Sequence, residues 1–432
     1  MELPAPTNLF RADIIPLAAE DANTRLKATF RADRDARKVD LSIRSYQDEH
    51  GKQPVFPAVQ MAEEMLRKTV HRTSHEYLPV AGLAEFNSGA ARLVLGADSP
   101  AIQEEKTISF QTISGTGALH LGATFLSKFL LRRCHSSSPQ PVVCVSDPTW
   151  GNHHPIFANV GFSTEAYPYF SASTKGLDCD GMLQHLQNAP SGSIIVLQAC
   201  GHNPTGVDPD QVQWDKIAET IRQRGHVPFF DCTYQGMVSG DLDQDAWAIR
   251  HFTERGMEMC IAQSFAKNCG LYGQRTGCLH VVTASKDAAR RISSQLTLLQ
   301  RCEISSPPSY GARVASLILN DGNLLAKWKA NLRVATNHIV TMRKTLRSRL
   351  EATNTRGTWN HITDQTGWYC FLGLSDAQVV RLRTDFHIYT TRNGRISVAG
   401  LNPSNVDYVA MALDQIIRKE DEVAPSLAAT SG

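Results

Sequence analysis

One lysine stands where its chemistry would be unusual. Lys267 lies in AQSFAKNCGLYGQRTG (262–277), just past the apolar run MCIAQSF (259–265), which reads as a buried strand. The residues that follow it carry three glycines and little helix or strand signal. A lysine there is either a solvated surface residue or a reactive amine held at a strand end. Asp231 stands near the close of another apolar run, VPFFDC (227–232), with Tyr234 shortly after it. In TISGTGALHLGATFLSKFLL (112–131), the residues Ser114, Gly115 and Thr116 form a turn that opens a long apolar helix. Free backbone N–H groups and the helix dipole favour an anion at such a place, usually a phosphate. The turn is not a dinucleotide fingerprint, because Gly115-x-Gly117 is followed by His120 where a third glycine is expected.

An amine, a carboxylate and a phosphate cup in one chain match the needs of pyridoxal phosphate. That cofactor takes a lysine for its Schiff base, a cup for its phosphate, and a carboxylate that keeps the ring nitrogen protonated so that the ring draws electrons. Each residue has a plainer reading when taken singly. A lysine is usually solvated, and Asp231 would serve as a helix cap. His153 and His154 have no spaced carboxylate or further ligand to make a metal site, so His153 is expected behind the reacting groups and His154 without a role. DLDQD (241–245) imitates a calcium loop, but Ala246 replaces the needed glycine and Phe252 the terminal glutamate.

The elements that must position these residues are legible from residue 110 to 300. PVVCVSD (141–147), SIIVLQAC (193–200), VPFFDC, MCIAQSF and GCLHVVT (277–283) read as short buried strands, with helical stretches such as PDQVQWDKIAETIRQRG (209–225) between them. Continuous apolar strands alternating with helices imply an α/β domain with a mostly parallel sheet covered on both faces. Ligands in such sheets bind beyond the strands' carboxyl ends, where VSDPTWGNHH, QACGHNPTG, DCTYQG and SFAKNCG all fall. Beyond residue 320, Leu325, Trp328, Leu332, Ala335, Ile339, Met342, Leu346 and Leu350 recur at helical steps and predict one long amphipathic helix leading into a second domain. NVDYVAMALDQIIRKE (405–420) reads as a final helix and APSLAATSG as a frayed tail.

Composition narrows the partners. The 432 residues are 42% hydrophobic and 20% charged with a net charge of +2, ordinary for a globular protein of two or three domains. No basic stripe interleaved with aromatics marks a nucleic-acid surface. No apolar run reaches the roughly 18 residues that cross a bilayer, and the opening residues lack the pattern of a signal or transit peptide. A cytoplasmic location is the expectation. The ten cysteines form no C-x-x-C pair, and Cys144, Cys260 and Cys370 sit in apolar runs as reduced, buried residues.

Four longer motifs, SGTGAL, HNPTGVDP, YQGMVSGDLDQDAWAIR and SFAKNCGLYGQRTG, occur in this order. With them the chain resembles the aspartate aminotransferase family of fold-type I pyridoxal-phosphate enzymes, from about PLAAEDANTRLKATF (16–30) to NVDYVAMAL. The resemblance implies a large domain with a mostly parallel seven-stranded sheet between helices (56–332), a smaller α+β domain (21–55 and 333–432), and an arm (1–20) lying on a partner subunit. It implies that Lys267 carries the cofactor and moves the proton, that Asp231 pairs with the ring nitrogen, and that Tyr234 and Asn203 bind the ring oxygen. Trp150 stacks on the ring, while Ser114, Gly115, Thr116, Ser264 and Arg275 grip the phosphate. Tyr77 reaches the phosphate of the neighbouring subunit. Arg395 clamps the substrate α-carboxylate, and Arg301 reaches across a homodimer to a second carboxylate. Guanidinium suits both clamps because it binds a carboxylate bidentately.

The substrate-facing positions depart from the family. Arg44, in LSIRSYQDEHGKQPVFPAV (41–59), stands where the family places a glycine beside the substrate, and Ser42 and Gln47 differ too. Gln198 replaces a histidine behind the ring-nitrogen carboxylate, Ser306 replaces an asparagine, and Trp368 and Tyr369 stand where methionine and phenylalanine are usual. Intact cofactor residues beside an altered substrate shell imply an aminotransferase working between an amino acid and a 2-oxo acid, with a changed substrate. The alternative is a lyase, decarboxylase or bond-forming enzyme on the same scaffold. A silent binding protein fits the intact Lys267 and Asp231 poorly.

Overall fold

The computed structural model describes residues 10, 13–18, 20–42, 45–69, 75–131 and 140–428. Most of the expected N-terminal arm lies outside them. Seven strands form the central sheet: β1 (Thr107–Ile113), β2 (Val143–Asp147), β3 (Thr164–Pro168), β4 (Ile194–Gln198), β5 (Val227–Cys232), β6 (Met259–Ser264) and β7 (Thr276–Val282). Their spatial order is β1-β7-β6-β5-β4-β2-β3. β7 runs antiparallel to both of its neighbours, and the other adjacent pairs are parallel. Every residue of β4, β6 and β7 is buried, as a sheet with both faces covered requires.

β1 and β3 were not among the strands legible in the sequence. β3, TEAYP, is an edge strand with a single buried side chain, Tyr167, so it lacks the apolar run of its neighbours. β1 is buried only toward its carboxyl end. α1 (Ser114–Leu130) lies across β6 and β7 and comes so close that a Cβ on Gly122 would meet the Phe229 ring at 2.6 Å. α2 (Gln211–Arg224) starts at a capping box, in which Asp210 accepts from the Gln213 N–H and the Gln213 side chain answers at Asp210. It stops at Gly225, whose φ of 64° is left-handed.

α3 (Gly322–Ala352) is the long amphipathic helix, capped by the Asp321 carboxylate. Its buried stripe begins at Leu324 rather than Leu325, which is only partly buried, because the cap sets the first turn's phase. Beyond it stand two small sheets. Val39–Asp40 pairs parallel with Ile388–Tyr389, and Tyr369–Phe371 pairs antiparallel with Arg395–Ser397. α4 (Val406–Ala428) closes the chain and runs through Ala428, farther than the frayed tail read from the sequence. No glycine occurs there before Gly432 to stop it. Among the described residues, no helix is long and apolar enough to cross a membrane. Cys144, Cys260 and Cys370 are free and buried.

Candidate active site

A cleft of about 570 Å³ opens beyond the carboxyl ends of β4, β5 and β6, against the first turn of α1. Ser114, Gly115, Thr116, Trp150, Asn203, Asp231, Tyr234, Ser264, Lys267 and Arg275 all line it. Lys267 follows β6 in a turn and is half-buried, with Nζ 5.1 Å from the centroid of the Tyr272 ring and 5.3 Å from that of Trp368. Its turn is fixed by Asn268, whose carbonyl accepts from Trp328 Nε1 at 2.7 Å and whose amide donates to the Gln235 carbonyl at 3.1 Å.

Asp231 is 7% exposed. Thr233 Oγ1 donates to its Oδ1 at 2.5 Å, and His153 Nε2 lies 3.2 Å from its Oδ2. The other ring nitrogen of His153 meets Thr149 Oγ1 at 2.7 Å, so this fully buried imidazole holds the carboxylate from behind. His154 turns instead to Thr164 Oγ1. Gln198 sits opposite Asp231 in the β4–β5 register but turns away from it; its amide pairs both ways with the Asn203 backbone, at 2.8 and 3.0 Å. The glutamine therefore braces the Asn203 loop and leaves the carboxylate to His153 and Thr233.

The anion cup is built at one point by three elements. Ser114 takes a left-handed φ of 61°, and its N–H donates to the Arg275 carbonyl at 3.0 Å. Ser114 Oγ and Ser264 Oγ lie 3.2 Å apart. A Cβ on Gly115 would meet Ser264 Cβ at 3.2 Å, so only glycine leaves this cradle open without displacement. The next N–H groups of α1 have no partner within the helix and point outward with its dipole. Arg275 brings a guanidinium whose partial desolvation lowers its pKa from the ordinary value.

Arg395 is 6% exposed. It donates to Asn203 Oδ1 at 3.1 Å and to the Ser42 carbonyl at 3.4 Å, while Nε has no partner. Among the described residues no carboxylate comes within ion-pair reach of it. A buried cation without a charged partner is costly to hold, and an anion joining it would offset that cost. The Tyr369 ring lies under the guanidinium, 4.2 Å from centroid to Cζ. Burial, above all, and the neighbouring Tyr369 raise the Tyr234 phenol well above its ordinary pKa, so it remains a hydrogen-bond donor.

A polar knot ties the two walls of the cleft together. Asp208 accepts from the N–H groups of Gly201 and His202 at 2.7 and 2.9 Å and from Thr366 Oγ1 at 3.2 Å. The Thr366 N–H donates to the Gly206 carbonyl at 2.6 Å. From α3, the buried Arg343 donates to the carbonyls of Ile362, Thr366, Gly367 and Tyr369.

Two of the expected residues lie away from this cleft. Tyr77 is 82% exposed, and Arg301 is exposed and donates to Ser305 Oγ at 2.7 Å. Arg44 lies outside the described residues. Lys27, Asp40, Ser42, Ser45, Gln53, Thr233, Tyr272 and Tyr369 also line the cleft, though none was assigned a role from the sequence. Only Ser42 and Tyr369 had a signal, as departures from the family pattern. The calcium-loop imitation is a structural turn: Asp245 accepts from the N–H groups of Gly236, Val238 and Ser239.

Residues 36–413 match the family model for aminotransferases of class I and II. The chain belongs to that family. It is 42% identical over 402 residues to the cytoplasmic aspartate aminotransferase of Schizosaccharomyces pombe, covering 93% of this chain and 97% of the relative. The cytoplasmic aspartate aminotransferase of Saccharomyces cerevisiae superposes with a TM-score of 0.89 at 40% identity, over 94% of this chain and 98% of that one. An aromatic-amino-acid aminotransferase from Burkholderia pseudomallei, covalently bound to pyridoxal phosphate, also gives 0.89 at 38% identity, over 94% and 99%. The protein is a pyridoxal-phosphate-dependent aminotransferase of fold type I. The open Gly115 cradle, the backed carboxylate of Asp231 and Lys267 in the same cleft fit that cofactor.

Proposed function

We propose that this aminotransferase moves an amino group between an acidic or specialised amino acid and a 2-oxo acid, with Arg395 as the receptor for the α-carboxylate. The observation that carries the reading is a buried guanidinium with an unpartnered Nε, held against Asn203 and Tyr369, two of the residues that line the cleft with Lys267 and Asp231. When bound, pyridoxal phosphate supplies an electron sink for negative charge at the substrate α-carbon. Lys267 would hold the cofactor and, once released, its amine would be the base that takes the proton from the substrate α-carbon. Asp231, backed by His153 and Thr233, keeps the ring nitrogen protonated. Tyr234 and Asn203 hold the ring oxygen, and Trp150 covers the ring face. Ser114, Gly115, Thr116, Ser264 and Arg275 take the phosphate.

The working unit in this reading is a cytoplasmic homodimer. Its protomers each have a large domain (56–332) and a small one (21–55 and 333–432). Exposed Tyr77, Met61, Met65 and Leu298 support such an interface, from which Tyr77 and Arg301 serve the neighbouring site. The test is to mix the purified protein with single amino acids while following the visible band of the cofactor, and to identify products by mass spectrometry. An amino acid that bleaches the band and yields its 2-oxo acid is the expected result. Products that have lost CO₂ or a β-group would overturn transamination in favour of a lyase or decarboxylase.

A further inference from the structure

We infer that Tyr369 is a further positioning residue of this site, its hydroxyl acting through Tyr234 and its ring through Arg395. The inference rests on the cofactor reading above and deepens it. Tyr369 is 1% exposed and begins the short strand that pairs with Arg395–Ser397. Its hydroxyl lies 3.3 Å from the Tyr234 hydroxyl, and the two rings meet edge-on, with centroids 6.0 Å apart at 86°. Its backbone is pinned by Arg343, which donates to the Tyr369 carbonyl at 2.5 Å.

The hydroxyl matters because a phenol has one proton and two lone pairs. As it stands the Tyr234 hydroxyl donates to the Tyr369 oxygen; once Tyr234 turns its hydrogen bond to the cofactor's ring oxygen, its own oxygen is left to accept from Tyr369. A donor that itself accepts a hydrogen bond donates more strongly. The bond from Tyr234 then favours the anionic form of the ring oxygen more than an unsupported tyrosine would. The charged groups that face Tyr234 are Arg395 and Asp231, with Lys267 in the same cleft. None of them offers the Tyr234 oxygen an uncharged donor that leaves the site's charge unaltered. A phenylalanine, which the family usually carries here, keeps the ring and lacks the donor.

The ring has a separate task. Lying 4.2 Å from the guanidinium carbon, its face stabilises the cation without neutralising it. Arg395 thereby stays charged and available for a ligand carboxylate in a place where a protein carboxylate would have competed.

The two parts separate experimentally in the holoenzyme. The readouts are the pH midpoint of the visible band of the lysine-held cofactor and the KM for the amino acid. Tyr369→Phe is expected to raise the midpoint by about 0.5 to 1 unit while KM stays within about twofold. Tyr369→Leu is expected to give the same rise together with an increase in KM of about tenfold. A Tyr369→Phe midpoint within about 0.2 unit of the native one, beyond which shifts are readily resolved, overturns the role of the hydroxyl. An unchanged KM in Tyr369→Leu overturns the role of the ring, and Tyr369→Met serves if the leucine variant does not fold. A native protein that shows no titrating visible band, and no cofactor on Lys267 after borohydride reduction, would sink the cofactor reading itself. A native band with an unmoved midpoint sinks only the part played by Tyr369.

Discussion

Replacing Arg395 by lysine keeps the charge and removes the fork. The guanidinium spends one donor on Asn203 Oδ1 at 3.1 Å and a weaker one on the Ser42 carbonyl at 3.4 Å, which leaves Nε without a partner in a nearly closed place. A carboxylate bound there gains two parallel charge-assisted bonds, and an ammonium at the same point offers one. Losing one such bond costs about 1.5 to 3 kcal/mol, and leaving Asn203 Oδ1 short of a donor adds about 1 kcal/mol. The sum, roughly 2.5 to 4 kcal/mol, predicts a fall in kcat/KM for the amino acid of about 70- to 900-fold. Because the carboxylate is held from binding through reaction, most of the loss should fall on KM. The assay is steady-state 2-oxo acid production against amino acid concentration, with stopped-flow recording of the first half-reaction. A simple alkylamine, which has no carboxylate, is the control and should react with both proteins alike. A loss below about threefold, or an equal loss with the alkylamine, would refute the clamp.

Four other outcomes follow from the same geometry. Lys267→Ala should lose turnover and the protein-linked chromophore, and peptide mapping after borohydride reduction of the native protein should find the label on Lys267 and no other lysine. Asp231→Ala should slow the chemical step about a thousandfold or more, read as kcat in single-turnover kinetics; a loss under tenfold would mean the ring nitrogen needs no carboxylate. Burial holds the His280 imidazole neutral, with its pKa lowered to about 3, between Ser109 Oγ and Gln263 Oε1. The unfolded chain therefore takes up a proton below about pH 6.5 that the folded one refuses until about pH 3. Stability from this group is complete above that window and falls with pH inside it by up to about 1.4 kcal/mol per unit; His280→Gln should flatten that slope in urea titrations between pH 4.5 and 6.5. Finally, mixing inactive Lys267→Ala and Arg301→Ala subunits should restore partial activity through heterodimers, and no rescue after proven subunit exchange would count against shared sites.

What the sequence disclosed about the fold follows burial. β4, β5 and β6 are apolar over most of their length because both of their faces are covered, and each delivers polar residues toward its carboxyl end. That made Asp231 and Lys267 stand out before any geometry was known, while Ser264 came only with the family resemblance. β3 was missed because an edge strand needs only one buried side chain. Arg395 and Asn203 are separated by 192 residues, and no local periodicity links them; only the motifs pointed to both. The segment holding Asp40, Ser42, Ser45 and Gln53 gave no strand or helix signal, because its one strand, Val39–Asp40, is only two residues long. Gln198 was visible as an exchange for histidine, but that its amide would turn to the Asn203 backbone depends on side-chain direction, which sequence does not carry.

The Asp208–Thr366–Arg343 knot has a bearing on how this enzyme's substrate range can drift. It welds Asn203 on one wall to Tyr369 on the other, so the jaw between them has a set gauge. The facing segment lies outside the knot and is held by other bonds: the Ser397 N–H donates to the Leu41 carbonyl at 2.7 Å, the Gln47 N–H to the Ala399 carbonyl at 3.1 Å, and the Tyr46 N–H to the Tyr272 hydroxyl at 2.9 Å. Exchanges in the welded jaw disturb cofactor and clamp together. Ser42, Ser45 and Gln53 line the cleft without belonging to the knot, so exchanges there alter the room left for the side chain of the incoming amino acid while the jaw stays in place. A new substrate range is therefore reached with least disturbance through those three positions.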